Sequence, residues 1–274
     1  MKIAVDLGGT NLRMAQVEGS SIKGKRVVPC QAQADANVLV EQIAGIIREG
    51  MTEDVDGIGI GVPSVVDAER GVVYSATNIS SWKEVPLKEE LEKRLGLPVR
   101  VNNDCNCFAL GEARYGAGKP FSHFLGITLG TGVGTGIIID KKLYSGVCTG
   151  AGEIGALPYQ DSDFEAYCSS RFFKMHNTSG EEAYRLALSG DKQALELWHS
   201  FGMHLGKLVN AVLYAYAPEA VVLGGGLAAA MSLFEKSMRE VVDGFPYGMI
   251  SNQLQILPAK LEDASLLGAA LLFE

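Results

Sequence analysis

The feature that most constrains this chain lies in its first eleven residues, where an apolar strand runs directly into a glycine-rich turn. The turn reads Asp6-Leu7-Gly8-Gly9-Thr10-Asn11. Consecutive glycines leave the backbone amides uncovered, so these amides and the Thr10 hydroxyl can approach a phosphate, while Asp6 can hold a magnesium ion or its water. A tight hairpin without any ligand has the same sequence pattern. The stretch therefore predicts either a phosphate cradle or a plain turn.

The order of the predicted elements indicates a layered α/β fold. Residues 1–102 read as three strands, a helix, a strand, a helix and a strand. From about residue 103 a similar pattern begins again, with a helix followed by a strand pair that is joined through Gly130-Thr131-Gly132. Two similar halves, each with a glycine-rich strand turn, are expected to face each other across a cleft.

The predicted strands after the first lie at 12–17, 23–28, 56–63, 99–102, 121–129, 134–139, 221–223 and 254–257. One predicted helix has Pro86 at its first position, and the others begin after Asp35, Asp104, Gly190, Gly226 and Asp263. The longest helix runs from Asp191 to Ala217. In it, Gly202 and Gly206 would let another helix come close, and a subunit or domain contact is one option. The triple glycine at 224–226 suits either a nucleotide or a plain strand-to-helix turn.

Composition excludes several classes of protein. The net charge is −8, from 24 Lys and Arg against 32 Asp and Glu, so the overall field opposes binding to nucleic acid. No run of about 18 apolar residues occurs and residue 1 already opens a strand, so we expect no membrane span, no signal peptide and a cytoplasmic location. The 5 cysteines contain no Cys-x-x-Cys pair, which favours buried or half-buried free thiols over disulfides or a metal site.

Asn102-Asn103-Asp104 lies at the end of a predicted strand and the start of a helix, between the two halves. An aspartate here can accept the proton of a substrate hydroxyl that attacks a phosphoryl group. Asn103 can hold a neighbouring hydroxyl by donating and accepting at once. The same residues suit a helix N-cap, and the two roles are compatible. We expect the helix N-terminus to keep Asp104 ionised.

Two glutamates extend this polar set. Glu153 stands among glycines in Gly152-Glu153-Ile154-Gly155, so its carboxylate is expected to point into open space, and Glu165 is expected to open a helix. Two carboxylates with an Asn-Asp pair suit a polyol, whose adjacent hydroxyls each seek a bidentate partner. Either glutamate alone also fits a solvated surface charge.

Together these motifs resemble those of the ROK family of sugar kinases, in the actin, hexokinase and Hsp70 superfamily. They occur in family order over nearly the whole chain. The matching stretches are Asp6-Leu7-Gly8-Gly9-Thr10-Asn11, Gly61-Val62-Pro63, Ala76-Thr77-Asn78 with Trp82, Asn103-Asp104, residues 129–136, Gly152-Glu153-Ile154-Gly155, Gly224-Gly225-Gly226 and residues 263–270.

The resemblance implies a two-domain actin-like ATPase fold of the ribonuclease H-like type, with ATP and sugar in the interdomain cleft. It implies a small α/β domain at 1–104, completed by a C-terminal helix at about 262–274, and a large α/β domain at 105–261. Asp104 would be the base that takes the proton from the 6-hydroxyl of glucose or a related hexose. Closure of the two domains would exclude water, and a homodimer is the expected assembly.

The resemblance also implies which residues contact each ligand. The implied sugar contacts are Gly61, Asn78, Asn103, Glu153 and Glu165. The implied contacts to ATP are Asp6, which also serves Mg²⁺, and Gly8, Gly9, Thr10, Asn11, Gly130, Thr131, Gly132, Gly134, Gly225 and Gly226.

The chain departs from the family pattern beside Glu153. Family members carry a histidine where this chain has Ala156, followed by a cysteine-rich zinc loop, whereas the stretch at 161–163 is short and contains no cysteine. We therefore expect no zinc site. Loss of the imidazole removes a hydrogen bond near the anomeric end of the sugar. Either the C1 and C2 end is held more loosely, or an N-acetylated hexosamine or a glycoside is accepted.

Two alternatives to a kinase stay open. Sugar-sensing transcription regulators of the family carry a DNA-binding segment before the first strand, for which this sequence leaves no room before Lys2. A catalytically inactive sugar-binding protein on the same fold is opposed by the intact Asp104 and the intact glycine turns. We expect an enzyme whose partner is a small-molecule sugar, without a nucleic-acid or membrane partner.

Overall fold

The chain folds around two five-stranded sheets, and the computed structural model describes residues 1–76 and 79–274. Asn78, an expected sugar contact, therefore lies outside the described residues. The elements of the first part are β1 (Lys2–Leu7), β2 (Asn11–Glu18), β3 (Ser21–Pro29), α1 (Ala36–Gly50), β4 (Ile58–Val62), β5 (Val65–Asp67), β6 (Val72–Tyr74), β7 (Glu84–Val85), α2 (Leu87–Leu95), β8 (Val99–Asn103) and α3 (Asp104–Tyr115).

The first sheet has the strand order β3-β2-β1-β4-β8. Strands β1 to β3 pair antiparallel, whereas β4 and β8 continue the sheet parallel to β1. Strands β1 and β4 are almost wholly apolar and buried, and the apolar face of α1 with Leu39, Ile43 and Ile47 packs into the same core. The predicted strands and helices of this part are confirmed, and β5, β6 and β7 form a small additional sheet.

The second part repeats this arrangement. Its elements are β9 (Phe124–Leu129), β10 (Val133–Ile139), β11 (Lys142–Tyr144), β12 (Pro158–Tyr159), β13 (Ser162–Asp163), α4 (Phe164–Cys168), α5 (Ser170–Met175), α6 (Gly180–Leu188), α7 (Lys192–Tyr216), β14 (Ala220–Gly224), α8 (Met231–Asp243), α9 (Gly248–Ser251), β15 (Gln255–Pro258) and α10 (Ala264–Ala270). The sheet order is β11-β10-β9-β14-β15, again with three antiparallel strands followed by two parallel ones. The predicted likeness of the two halves is confirmed.

Helices α3 and α10 pack against each other between the two sheets, with α3 on β9 and β10 and α10 on β1 and β4. Their crossing is close because glycines face the partner helix. A Cβ at Gly111 would lie 2.1 Å from the Ala264 carbonyl oxygen, and one at Gly268 would lie 1.7 Å from that of Cys107. The C-terminal helix thus packs on the first sheet, while the domain limits at 104 and 262 stay predictions.

The surroundings of α7 resolve the question raised by its glycines. Gly202 and Gly206 do allow a close approach, but the neighbour is α8 of the same half. A Cβ at these positions would lie 2.4 Å from the Phe234 carbonyl oxygen and 2.7 Å from that of Met238. The glycines therefore serve helix packing within one half of the chain, and they do not mark a contact with another subunit or domain.

Two smaller predictions also need correction. Asp35 lies at the N-cap of α1, but its side chain makes no capping hydrogen bond. The five cysteines are free, but Cys148 is exposed, because it lies in a surface loop. Within the two described ranges, no helix combines the length and the apolar character needed to cross a bilayer.

Candidate active site

Asp104 lies between the two sheets, where β8 ends and α3 begins. The Asn103 side chain caps this helix, because its Oδ1 accepts hydrogen bonds from the amides of Cys105 (2.8 Å) and Asn106 (3.1 Å). The Asp104 carboxylate accepts a hydrogen bond from the Cys105 amide at 2.9 Å. The capped turn holds the Asp104 carboxylate at a point that lines two neighbouring cavities.

The electrostatic surroundings of Asp104 differ from those predicted. Burial raises the pKa of Asp104 from 3.8 to about 7, and the Asp6 carboxylate adds to the rise. The hydrogen bonds at the helix N-terminus lower the pKa but are outweighed. The expectation that the helix keeps Asp104 ionised is therefore wrong, since this carboxyl is about half protonated near pH 7. A pKa close to the working pH suits a group that takes up a proton in catalysis.

Asp6, on β1, is paired with a residue that the motifs alone do not single out. Arg13 on β2 is its cross-strand partner, and the Arg13 guanidinium forms an ion pair with the Asp6 carboxylate. Asp6 is 4% exposed, and burial raises its pKa against the lowering effect of Arg13. The tight turn between β1 and β2 makes residues 6 and 13 direct neighbours on the two strands. The register of this hairpin could therefore have indicated, from the sequence, that Arg13 lies beside Asp6.

A cavity of about 690 Å³, here called the Asp6 cavity, opens beside this ion pair. Its lining includes Asp6, Arg13, Asp104, Gly225, Gly226 and Ser265. The walls come from both halves of the chain, because Asp6 and Arg13 belong to the first sheet and Gly225 follows β14 of the second. The Asp6 cavity is thus a cleft between the two halves.

A second cavity of about 510 Å³, here called the Glu165 cavity, also reaches Asp104 and Gly225. Both glycine turns contribute to its lining, through Gly8, Gly9, Gly130, Thr131, Gly132 and Gly134. Thr10 and Asn11 belong to the first turn but do not line either cavity. The Gly8 amide donates to the Asn11 carbonyl at 2.9 Å and closes the turn. This amide was predicted to approach a phosphate, but its hydrogen bond is used within the turn.

The two glutamates predicted as site residues line the Glu165 cavity together. Glu165 lies in the first turn of α4, as predicted, and its carboxylate accepts hydrogen bonds from the Val133 amide (3.2 Å) and Arg171 Nη1 (3.3 Å). Burial raises the pKa of Glu153, and the negative charge of Glu165 adds to the rise. The Glu153 carboxylate makes no hydrogen bond to the described residues, which leaves it free to accept one from a ligand.

Asn103 also lines the Glu165 cavity, but most of its hydrogen-bonding capacity is used within the protein. Its Oδ1 caps α3, and its Nδ2 donates to the Ser64 carbonyl at 3.2 Å. One amide hydrogen is left for a ligand, instead of the donor and acceptor pair that was predicted.

Gly61 lies deeper in the structure, and it lines neither cavity. It is buried in β4, where a Cβ would be 3.3 Å from the Asp104 Cα and 3.4 Å from the Cys107 Sγ. The absence of a side chain therefore allows α3 to lie close to β4. Gly61 thus supports Asp104 from behind, and a sugar contact at Gly61 stays a prediction.

Gly225 and Gly226 lie where the cavities adjoin. Gly225 has a φ of +84°, and a Cβ there would lie 2.4 Å from the Leu129 carbonyl oxygen, so only glycine fits without rearrangement. Gly226 also lines a third cavity of about 380 Å³, here called the Tyr184 cavity. The lining of this third cavity includes Gly130, Tyr184, Trp198, Leu227 and Ala230 and is mostly apolar. An apolar recess thus adjoins the glycine turns.

Aromatic contacts hold the segment that precedes Glu165. Strands β12 and β13 form a short hairpin, and Tyr159 stacks on Phe164 with ring centroids 4.3 Å apart. The Tyr159 hydroxyl lies 3.0 Å from Nδ1 of His204 on α7. Among the residues that the structure describes, no group of three or more His, Cys, Asp and Glu side chains is placed to hold a metal ion. The absence of zinc stays a prediction.

Comparison with known proteins places this geometry in context. The model of the ROK family matches residues 2–274. A glucokinase from Thermotoga maritima is 30% identical over 98% of this chain and 95% of its own length. The structure of a ROK family glucokinase from Streptomyces griseus in complex with glucose and AMPPNP is 30% identical, with a TM-score of 0.86 over 99% of this chain and 98% of that chain.

A further solved structure widens the range of substrates among similar proteins. A proposed N-acetylmannosamine kinase from Listeria monocytogenes is 25% identical, with a TM-score of 0.85 over 99% of this chain and 98% of its own. These similarities extend over both sheets and the helices between them. The predicted fold class, a two-domain actin-like ATPase fold, is confirmed.

Proposed function

Since the chain belongs to the ROK family, we propose that it is an ATP-dependent hexose kinase that transfers the γ-phosphoryl group of Mg-ATP to the 6-hydroxyl of glucose or a related hexose. The broader activity is that of its relatives: the chain is a phosphotransferase that acts on a sugar hydroxyl. The observation that carries the proposal is the position of Asp104, which has a pKa of about 7 and lines both the Asp6 cavity and the Glu165 cavity.

In this proposal Asp104 is the general base. Its carboxylate takes the proton of the sugar hydroxyl as that oxygen attacks the γ-phosphorus, and the bond from the γ-phosphorus to the bridging oxygen of ADP breaks. Phosphoryl transfer depends on an oriented acceptor and on charge stabilisation more than on a strong base. The ionised fraction of Asp104 at neutral pH is therefore sufficient.

The sugar occupies the Glu165 cavity, where its hydroxyls meet a set of acceptors and one donor. Glu153 and Glu165 accept hydrogen bonds from the hydroxyls, and the remaining amide hydrogen of Asn103 donates one. Arg171 contacts the Glu165 carboxylate at 3.3 Å and so fixes its orientation. Several oriented polar groups in one cavity favour a polyol over an apolar substrate, because each buried group loses hydrogen bonds to water unless the ligand replaces them.

The nucleotide occupies the Asp6 and Tyr184 cavities, and its γ-phosphate reaches the Glu165 cavity, which shares Asp104 and Gly225 with the Asp6 cavity. Uncovered backbone at Gly9 and at Gly130 to Gly134 lines the Glu165 cavity, where the phosphates end. The half-exposed Arg13 guanidinium supplies a positive charge in the Asp6 cavity. The apolar Tyr184 cavity has the size and character that suit a purine base.

The donor groups present fit a magnesium ion that arrives with ATP. Mg²⁺ is typically held by one or two carboxylates together with substrate phosphates and waters. Asp6 supplies one buried carboxylate beside the space assigned to the phosphates. When bound, Mg²⁺ neutralises phosphate charge, and Asp6 would hold the ion or one of its waters.

A second substrate class is favoured by the residue at position 156. Ala156 lines the Glu165 cavity together with Glu153 and Glu165. A methyl group there leaves room for a substituent at C1 or C2 of the sugar. The similarity to a proposed N-acetylmannosamine kinase supports an N-acetylated hexosamine as the alternative to glucose, and a β-glucoside fits the same space. A non-catalytic sugar sensor would leave the placement of Asp104 without a use.

The test is a coupled ADP-release assay with Mg-ATP and a panel of glucose, mannose, N-acetylglucosamine, N-acetylmannosamine and a β-glucoside. Turnover with one of these sugars that Asp104→Ala abolishes would establish the kinase and identify its substrate. Sugar binding without turnover, measured by calorimetry, would instead support the sensor.

A further inference from the structure

A buried hydrogen bond joins the two walls of the Glu165 cavity, and none of the roles given above uses it. The Thr149 Oγ1 accepts a hydrogen bond from the Val66 amide at 2.9 Å. Val66 lies in β5, directly after Val65 in the wall contributed by the first half. Thr149 lies in the loop that leads to Glu153 in the wall contributed by the second half. The bond therefore links the segments that carry the two walls of the proposed sugar site, while neither Val66 nor Thr149 itself lines that site.

The backbone around Thr149 has an uncommon conformation. Cys148 and Thr149 have φ values of +50° and +54°, a left-handed region that a β-branched residue such as threonine rarely adopts. Thr149 is only 3% exposed, whereas Val147 at the tip of the loop is 88% exposed. Strained backbone of this kind persists where surrounding contacts determine it. The contact with Val66 is one of the contacts that determine the conformation at Thr149.

Only three residues separate Thr149 from Glu153, and this short segment is closely packed. The Ala151 amide donates to the Ser145 carbonyl at 3.0 Å, which closes the loop on itself. Gly152 then passes so close to β10 that a Cβ would lie 2.4 Å from the Thr135 carbonyl oxygen. Glu153 follows immediately. Ala151 and Gly152 are thus held by residues of the second half, whereas the Thr149 contact attaches the same segment to the first half.

The opposite wall is anchored as firmly. The Ser64 carbonyl accepts the Asn103 Nδ2 hydrogen bond at 3.2 Å, and this ties the segment before Val66 to the residue next to Asp104. The Thr149 to Val66 bond thus connects two rigid segments, one carrying Glu153 and one attached to the Asp104 turn. Strand β5 and residues 147–149 pack against each other around this bond.

We propose that Thr149 is a positioning residue for the sugar: its hydroxyl, by accepting the Val66 amide, holds the Glu153 wall at the distance that a bound hexose requires. This inference rests on the proposed function, since it assigns the sugar to the Glu165 cavity. Thr149 lines none of the three cavities, so it acts only through the segment that carries Glu153, a residue placed at the sugar and not at the nucleotide. The loss of its hydroxyl should therefore weaken sugar binding and leave nucleotide binding unchanged.

The test compares Thr149→Val, which keeps the shape and removes the acceptor, with Thr149→Ser, which keeps the acceptor. Thr149→Val should raise the KM for the sugar about fivefold to tenfold and change the KM for ATP by less than about twofold. Thr149→Ser should keep the KM values for the sugar and for ATP within about twofold of those of the parent. Faster hydrogen exchange of the Val66 amide in Thr149→Val, but not in Thr149→Ser, should accompany the rise.

Thr135→Val is the matched control, because the Thr135 hydroxyl is buried and has no hydrogen-bond partner among the described residues. It should leave both KM values within about twofold of the parent. Equal effects of Thr149→Val and Thr149→Ser, or a parallel rise in the KM for ATP, would overturn the positioning role. A parent protein that is inactive on every sugar would overturn the proposed function and the positioning role of Thr149 together. If the parent is active and Thr149→Val has the same KM for the sugar, only the positioning role is overturned.

Discussion

Replacing Asp104 by asparagine should abolish phosphoryl transfer and at the same time stabilise the folded protein at alkaline pH. The two effects have one cause. The carboxylate is held in a half-buried position close to Asp6, where its charge is useful for catalysis and costly for folding. Asparagine has nearly the same shape, can still accept the Cys105 amide hydrogen bond and carries no charge. The substitution therefore separates the charge from the packing.

The size of the effect follows from the pKa of Asp104, which rises from 3.8 to about 7 on folding. The folded state binds the proton more tightly than the unfolded state, so the free energy of unfolding falls as pH rises between about 4 and 7. At about 1.4 kcal/mol per pKa unit, the ionised carboxylate costs about 4 kcal/mol at pH 8. Solvent that reaches the cavities reduces this cost. We therefore expect Asp104→Asn to raise the free energy of unfolding by about 2 to 4 kcal/mol at pH 8 and to leave it unchanged below about pH 4.

The assay is urea unfolding of the parent and of Asp104→Asn at pH 8 and again at a pH near 4, together with ADP release at pH 8. Asp56→Asn serves as the control, because Asp56 is exposed and Lys2 lowers its pKa. That variant should gain no stability at pH 8. A loss of stability in Asp104→Asn at pH 8, or a gain of equal size at both pH values, would refute the raised pKa of this half-buried carboxylate.

Three further predictions follow from the same geometry. The kcat/KM for the sugar should rise with pH through about 7 as Asp104 loses its proton, and a flat profile from about pH 5.5 to 8.5 would contradict its role as base. Gly225→Ala should lower the free energy of unfolding by about 2 kcal/mol or more, because Gly225 has a positive φ and lies close to the Leu129 carbonyl. Gly226→Ala should lower it less, because the space at the Gly226 Cβ position is open. Equal losses for the two variants in urea unfolding would contradict this prediction. Arg13→Ala should raise the KM for ATP about tenfold in steady-state assays and leave that of the sugar unchanged, and an unaltered KM for ATP would remove Arg13 from the nucleotide site.

Much of the fold could be predicted because its signals are local. The glycine turn after β1 and the strand pair around Gly130 are short-range patterns that recur in both halves, and the structure confirms the repeated topology. The same holds for Asp104, since a strand end followed by a helix start is visible in a few residues. Local patterns therefore found the turns and the position of the proposed base.

The missed features depend on residues that are distant in sequence. The pKa of Asp104 is set by burial and by Asp6, which lies in a different strand. The capacity of Asn103 for a ligand is reduced by the Ser64 carbonyl, a partner that only the folded chain brings near. Gly61 matches a family motif, yet tertiary packing gives it a place behind the Asp104 turn instead of in the cavity. Periodicity and spacing carry no information on such contacts.

The long helix α7 shows the same limit. A pair of glycines four residues apart predicts that some helix approaches closely, and this part of the prediction is confirmed. The pattern contains nothing that distinguishes a neighbour from the same half from a neighbour in a second subunit. The identity of the neighbour, α8, depends on the path of the chain through β14, which the glycines do not specify. The expected homodimer thus stays a prediction.

In the proposed mechanism, Asp104 activates the 6-hydroxyl of a hexose for attack on the γ-phosphoryl group of ATP. The most direct measurement is ³¹P and ¹H NMR of the product formed from the best sugar of the panel with Mg-ATP, by the parent protein and by Asp104→Asn. We expect a sugar 6-phosphate from the parent and none from the variant. Phosphate at another position, or equal product from Asp104→Asn, would contradict it.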